Sequence, residues 1–294
     1  MTDGGMETTL IFRDGLDLPE FASFVLLDDA AGVDALRTYY ASYVAIAERH
    51  GVGIVLDTPT WRANADWGAR LGYSARALED VSRRGVALLE DVREEAGEAV
   101  DMLISGCVGP RGDGYVVGEA MSAEEAETYH SAQVSTFAGT NADLVGALTL
   151  NYADEAIGIA RVAAEVGIPS VISFTVETDG RLPSGQELRD AVAQVDDATG
   201  GAPAYFMVNC AHPTHFEGVL DEGGLERVVG LRANASTKSH AELDEAEELD
   251  QGDPDDLAER YRGLRRFLPN LRVVGGCCGT DERHVEAICA RWAG

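Results

Sequence analysis

The sequence predicts a single α/β domain over residues 1–294, built as a (β/α)8 barrel, and three observations carry that expectation. Short, nearly continuous apolar runs rich in β-branched residues recur along the chain, as in strands buried on both faces of a parallel sheet. Segments with helical spacing separate them. The 294 residues lie close to the ~250 typical of such a barrel, and no glycine-rich nucleotide turn follows the first run, which argues against a doubly wound open sheet.

In chain order the start segment "MTDGGMETTL" is expected to supply one strand. The seven runs after it are "GIVLDT" (53–58), "DMLISGCVG" (101–109), "ADLVGALTL" (142–150), "PSVISFTV" (169–176), "AYFMVNC" (204–210), "RVVGLRAN" (227–234) and "RVVGGCC" (272–278). Helical spacing places Leu36, Tyr40, Tyr43 and Ala47 on one face before the first run, and Leu78, Val81, Leu88 and Val92 on one face after it. The glycine-rich stretch 109–121 reads as a loop over one end of the barrel, and the acidic stretch 242–259 as a solvated loop and helix face.

Composition narrows the function. With 51 acidic against 23 basic residues the formal charge is −28, and Lys238 is the only lysine. Such a surface repels phosphate backbones and anionic lipid, so neither nucleic acid nor membrane is an expected partner. The acidity suits a high-salt cytoplasm, where self-repulsion is screened, or simply an arginine-using acidic protein. No apolar window is long enough to span a bilayer and no signal core is visible, so a cytoplasmic protein is expected. Self-association into a homo-oligomer is compatible with the sequence. Five cysteines without an export signal read as metal ligands, reactive thiols or core residues rather than a disulfide framework.

In barrels of this kind the reactive groups collect where strands run into the following loops. Those ends hold Asp3 with Gly4 and Gly5, Thr58 and Thr60, Cys107, Leu148 and Thr149, Thr175, Asn209 and Cys210, Asn234, and the adjacent pair Cys277 and Cys278. A core role suits the pair poorly, because neighbours on an extended strand point to opposite faces. A vicinal disulfide is strained and disfavoured in a reducing compartment. Zinc bound by thiolates is favoured by the flanking glycines, which let both sulfurs converge at ~2.3 Å from one ion. Cys210 would complete a three-sulfur site with its fourth position open, as in catalytic zinc sites.

Taken in order, "DGGMETTL" (3–10), "DTPTWRAN" (57–64), "GCVGPRGDGY" (106–115), "SFT" (173–175), "VNC" (208–210) and "GGCCGT" (275–280) resemble the zinc-dependent homocysteine S-methyltransferase family. That family includes users of betaine, S-methylmethionine and S-adenosylmethionine and the homocysteine domain of methionine synthase. The resemblance runs from end to end and implies a (β/α)8 barrel, a zinc ion (Zn2+) held by Cys210, Cys277 and Cys278, a small thiol acceptor and a small onium methyl donor. It implies substrate contacts from Asp3, Gly4, Gly5, Thr60, Trp61 and Asn234, with Asp3 helping to hold the acceptor amino group. Asn209 is expected to orient the metal loop, Cys107 to stay outside the ligand set, Cys289 to be core, and His212 and His215 to be loop residues.

The chemistry agrees with the residues. A free thiol of pKa ~8.5 is mostly protonated at neutral pH, whereas a zinc-bound one is deprotonated and can attack an electrophilic methyl group. No separate general base is then required, and no convincing Ser-His-Asp or paired-carboxylate arrangement is present. Other readings are a different acceptor thiol, a separate corrinoid partner, or a zinc-binding redox sensor that uses the vicinal thiols without methyl transfer.

The sequence departs from the family twice. Only Met1 and Thr2 precede "DGG", where relatives carry an apolar first strand, so that strand is expected to be clipped or the true start to lie upstream. Leu148 stands where relatives place a glutamate that binds the substrate amino group. The acceptor is therefore expected to lack a free amino group, or homocysteine to bind weakly, unless Glu7 or Glu155 compensates.

Overall fold

All seven runs are strands. The computed structural model describes residues 1–246 and 248–292; position 247 of the acidic stretch and residues 293–294 at the end of the expected domain lie outside the described residues. The strands are β1 (Ile54–Asp57), β2 (Met102–Val108), β3 (Leu144–Leu150), β4 (Ser170–Phe174), β5 (Tyr205–Asn209), β6 (Val228–Ala233) and β7 (Val273–Gly276). They pair in parallel in chain order, β1 to β7. Parallel neighbours need long crossovers, and helices supply them except between β5 and β6, where only the short helix Pro213–Phe216 and the 3-10 turn Glu217–Glu222 intervene; helices also precede β1 and follow β7. These are α1 (Ala30–His50), which precedes β1, then α2 (Ala75–Ala96), α3 (Ala123–Ala138), α4 (Ala153–Val166), α5 (Leu188–Thr199), α6 (Pro254–Leu264) and α7 (Glu282–Trp292).

Local chemistry sets the helix limits. Ser122 caps α3 in a reciprocal box with Glu125, and Asp253 caps α6 through the amides of Asp255 and Asp256. Gly51, in the left-handed region at φ 61°, ends α1.

The start segment differs from its expected role. Among the described residues it forms no strand: Met6–Thr8 is already helical and runs into a wide helical turn over Thr9–Arg13. Three residues ahead of the Gly4-Gly5 bend are too few for a regular ladder. They nevertheless lie between β7 and β1, with Thr2 N donating to Val274 O (2.9 Å), Gly276 N to Asp3 O (2.9 Å) and Val55 N to Met1 O (2.8 Å).

The main core lies between the sheet and the helices and includes Leu36, Tyr40 and Tyr43 of α1, Leu89 of α2 and Phe137 of α3, all fully buried. A separate cluster of Leu144, Val171 and Met207, backed by Val55, Tyr205 and Val273, gathers strand residues of the inner face. Polar residues instead collect beyond the opposite, C-terminal ends of the strands. No helix among the described residues is long and apolar enough to cross a membrane.

Candidate metal and substrate site

The loops after β5 and β7 bring three sulfurs together. Cys210 Sγ lies 2.8 Å from Cys277 Sγ and 3.5 Å from Cys278 Sγ, and the three ligand atoms all fall within 4.8 Å of one another. All five cysteines are free, so the adjacent pair forms no disulfide.

The backbone is bent and tied to achieve this. Cys210 has φ 57°, in the left-handed region that costs a non-glycine residue roughly 1 kcal/mol or more. Its amide donates to Arg232 O (3.0 Å), while its carbonyl accepts from Asn234 Nδ2 (3.0 Å) and bonds His240 Nε2 (2.6 Å). The amide of Cys277 donates to Ala233 O, and its carbonyl accepts from the amide and hydroxyl of Thr280. Gly5 has to be glycine: a Cβ there would stand 2.5 Å from Cys277 O. Asn209 Oδ1 accepts from Thr149 N and Ser173 Oγ, and its Nδ2 lies 3.9 Å from Cys277 Sγ. The neighbouring sulfurs donate to Cys277 and hold its thiol well below the usual range, while the bonds within the cluster push the thiols of Cys210 and Cys278 up.

Two cavities meet at the cluster. The inner one reaches Asp3, Glu7, Leu148, Arg232 and all three cysteines; the outer one, about 380 Å³, is walled by Trp61, Arg62, Tyr115, Asn234 and part of the acidic stretch. Trp61, Tyr115 and Cys278 border both. A space of that size suits a small molecule.

The expected substrate residues divide. Asp3, Gly4 and Gly5 line the inner cavity, Trp61 lines both and Asn234 the outer one. Thr60 lines neither; its hydroxyl donates to Cys107 O (2.7 Å) and ties the loop after β1 to β2. Cys107 borders the inner cavity but stays out of the sulfur cluster, and Cys289 is buried beside Met1. His212 caps the short helix Pro213–Phe216 and lies in the loop as expected, whereas His215 is within that helix and bonds Thr237 O. The acidic stretch is not simply solvated, since Leu243, Asp244 and Asp250 face the outer cavity.

Several site residues escaped the sequence reading. Arg232 is buried and ion-paired to both Asp3 and Asp57. Burial pushes the Asp3 carboxyl up against the pull of Arg232, and Tyr39 Oη donates to its second oxygen (3.0 Å). Tyr115 sets its hydroxyl 3.1 Å from Cys210 Sγ and stacks on His240 at 4.1 Å between ring centres. Tyr115 ends a quoted motif and could have been marked from it; no local signal pointed to His240. Glu7 lines the inner cavity, whereas Glu155 is buried elsewhere against His130 (2.9 Å) and the amide of Arg111 (2.7 Å).

Comparison with known proteins agrees with this geometry. The family model described as homocysteine S-methyltransferase matches residues 1–292. The homocysteine S-methyltransferase of Escherichia coli (strain K12) is 26% identical over 243 residues, covering 75% of each chain. Methionine synthase of Mycobacterium tuberculosis is 27% identical across 98% of this chain, which spans only 24% of that longer protein. Crystal structures of the E. coli homocysteine methyltransferase MmuM share the fold. The oxidized form gives a TM-score of 0.77 at 23% identity over 99% of this chain and 94% of that one, and the metallated form 0.77 at 20% over 99% and 96%. The chain belongs to the homocysteine S-methyltransferase family.

Proposed function

We propose that this chain is a zinc-dependent thiol S-methyltransferase, with homocysteine as the leading acceptor and a small sulfonium or quaternary ammonium compound as donor. The single observation that carries the reading is the convergence of Cys210, Cys277 and Cys278 where the two cavities meet. Three thiol donors with that spacing fit zinc, which would be held by these residues and would supply a deprotonated acceptor sulfur at neutral pH. The acceptor sulfur forms the new S–CH3 bond as the donor's S–CH3 or N–CH3 bond breaks, and the donor leaves as a neutral thioether or tertiary amine. The chain's own residues hold the two reactants in register on either side of Cys278 and Tyr115.

On the acceptor side Leu148 lines the inner cavity and offers no charge. Both Asp3 oxygens are engaged, by Arg232 and Tyr39, and Glu155 is committed to His130 and Arg111. Glu7 is different, since its Oε1 accepts from Ser23 Oγ (2.8 Å) and, among the described residues, no cationic side chain forms an ion pair with its carboxylate. We infer that Glu7 takes the acceptor ammonium in place of a carboxylate at position 148. An ammonium left unpaired in such a pocket costs several kcal/mol, so the assignment has a measurable consequence. Wild type is expected to prefer homocysteine over 4-sulfanylbutanoate, its counterpart without the amino group. Glu7→Gln should lower kcat/KM for homocysteine by about tenfold or more, and Leu148→Glu should raise it. Equal rates for the two thiols in wild type would mean that the acceptor is a thiol without an amino group.

The same proposal takes the chain as one closed (β/α)8 barrel over residues 1–294, with Met1–Asp3 standing in for the missing strand; their bonds to β7 and β1 support it. Cytoplasmic residence and small-molecule partners fit the acidic composition. They also fit the lack, among the described residues, of a helix able to cross a membrane.

A further inference from the structure

Two arginines are buried, Arg232 and Arg62, and they are treated differently. Arg232 holds two carboxylates, whereas Arg62, 8% exposed on the wall of the outer cavity, has none in ion-pair range among the described residues. In a chain with 51 acidic side chains this is unexpected, because a buried charge is costly unless it is paired.

The surroundings of Arg62 leave one edge without a hydrogen-bond partner among the described residues. Its guanidinium carbon lies 4.2 Å from the ring centre of Trp61 and 3.8 Å from that of Trp67, so the cation sits over both indole rings. Nη1 donates to Gly112 O (3.2 Å), and Trp67 Nε1 donates to the same carbonyl (3.1 Å). Among the described residues Nε is buried without a hydrogen-bond partner, and no bond engages Nη2. Asp113 is the acidic group that acts most strongly on Arg62, yet its Oδ1 accepts from the amides of Tyr115 (2.7 Å) and Val116 (3.1 Å). The Nε–Nη2 edge is the side of a guanidinium that accepts a carboxylate through two parallel bonds.

We propose that Arg62 receives the carboxylate of a zwitterionic methyl donor in the outer cavity, leaving the donor's onium end toward the sulfur cluster. This rests on the methyl-transfer reading above and adds the residue that holds and selects the donor's carboxylate. The donor rather than the acceptor is meant, because Arg62 lines the outer cavity and not the inner one. The cationic end is matched by Asp244, Glu248 and Asp250 and by the rings of Trp61 and Tyr115 on the same walls.

The test compares S-methyl-L-methionine with its carboxamide, which differ only in the anionic group. Binding to the zinc-loaded protein is measured by calorimetry and methyl transfer to homocysteine by product formation. Wild type is expected to favour the carboxylate by about tenfold or more in both Kd and KM, the value of a charge-assisted bond pair. Arg62→Met should bring that ratio toward unity, and Arg62→Lys should restore part of it. Equal binding of the two compounds in wild type, failure of both to bind, or an unchanged ratio in Arg62→Met overturns the proposal. Should the methionine variant fold poorly, the wild-type comparison and the lysine variant still decide. Discrimination in binding without transfer from either compound would instead contradict the methyltransferase reading and leave the role of Arg62 standing.

Discussion

Replacing any one of Cys210, Cys277 and Cys278 by alanine is expected to remove stoichiometric zinc and with it methyl transfer. The three sulfurs lie within 4.8 Å of one another, and no fourth histidine, cysteine or carboxylate joins the group among the described residues. Structural zinc sites in peptides are worth on the order of 10 kcal/mol or more, so losing one of three thiolates should weaken the metal by roughly a thousandfold or more. Cys107→Ala and Cys289→Ala should keep both metal and turnover. Cys107 meets Thr58 and Thr60 through its backbone, and Cys289 packs near Met1. Metal analysis after exhaustive dialysis separates the cases. Full zinc content in Cys278→Ala would show that the cluster has been misassigned.

Loss of Arg232 should have the largest effect on stability. Its Nη1 and Nη2 engage Asp57 and Asp3, and its Nε donates to Gly276 O (3.1 Å) beside the metal loop. The three side chains are 7%, 11% and 1% exposed, so Arg232→Met strands two carboxylates near the C-terminal ends of the strands. Removing one partner from such a buried group typically costs about 3–5 kcal/mol. Urea unfolding should therefore show a much lower midpoint for Arg232→Met. Adding Asp3→Asn and Asp57→Asn should recover part of the loss, since the stranded charges are then gone. A single variant within about 1 kcal/mol of wild type would mean that the cluster contributes little.

The strands were legible in the sequence because each is buried on both faces and so reads as an unbroken apolar run between polar helices. The start segment was not, since its place between β7 and β1 depends on three residues whose backbone bonds, rather than any apolar pattern, define it. The cysteine cluster was legible because strand order brings the ends of β5 and β7 to one side of the sheet and glycines flank the pair. Arg232 was hidden for the opposite reason. A lone arginine in "VVGLRAN" looks like a strand-end charge, and its partners stand 175 and 229 residues away. Tyr115 and His240 reach the sulfurs and the Cys210 carbonyl only through the path of two loops, which spacing does not encode. Glu155 illustrates the converse: it follows the family's glutamate position closely in sequence, yet α4 turns it away to His130.

The central claim is that Cys210, Cys277 and Cys278 would hold one metal ion, which would also bind the acceptor sulfur and keep it deprotonated for methyl transfer. X-ray absorption at the zinc edge, recorded on the wild-type protein before and after addition of homocysteine, tests it most directly. The account predicts three sulfur neighbours without the thiol and four with it, at ~2.3 Å. A sulfur count that stays at three while homocysteine is demonstrably bound would contradict it.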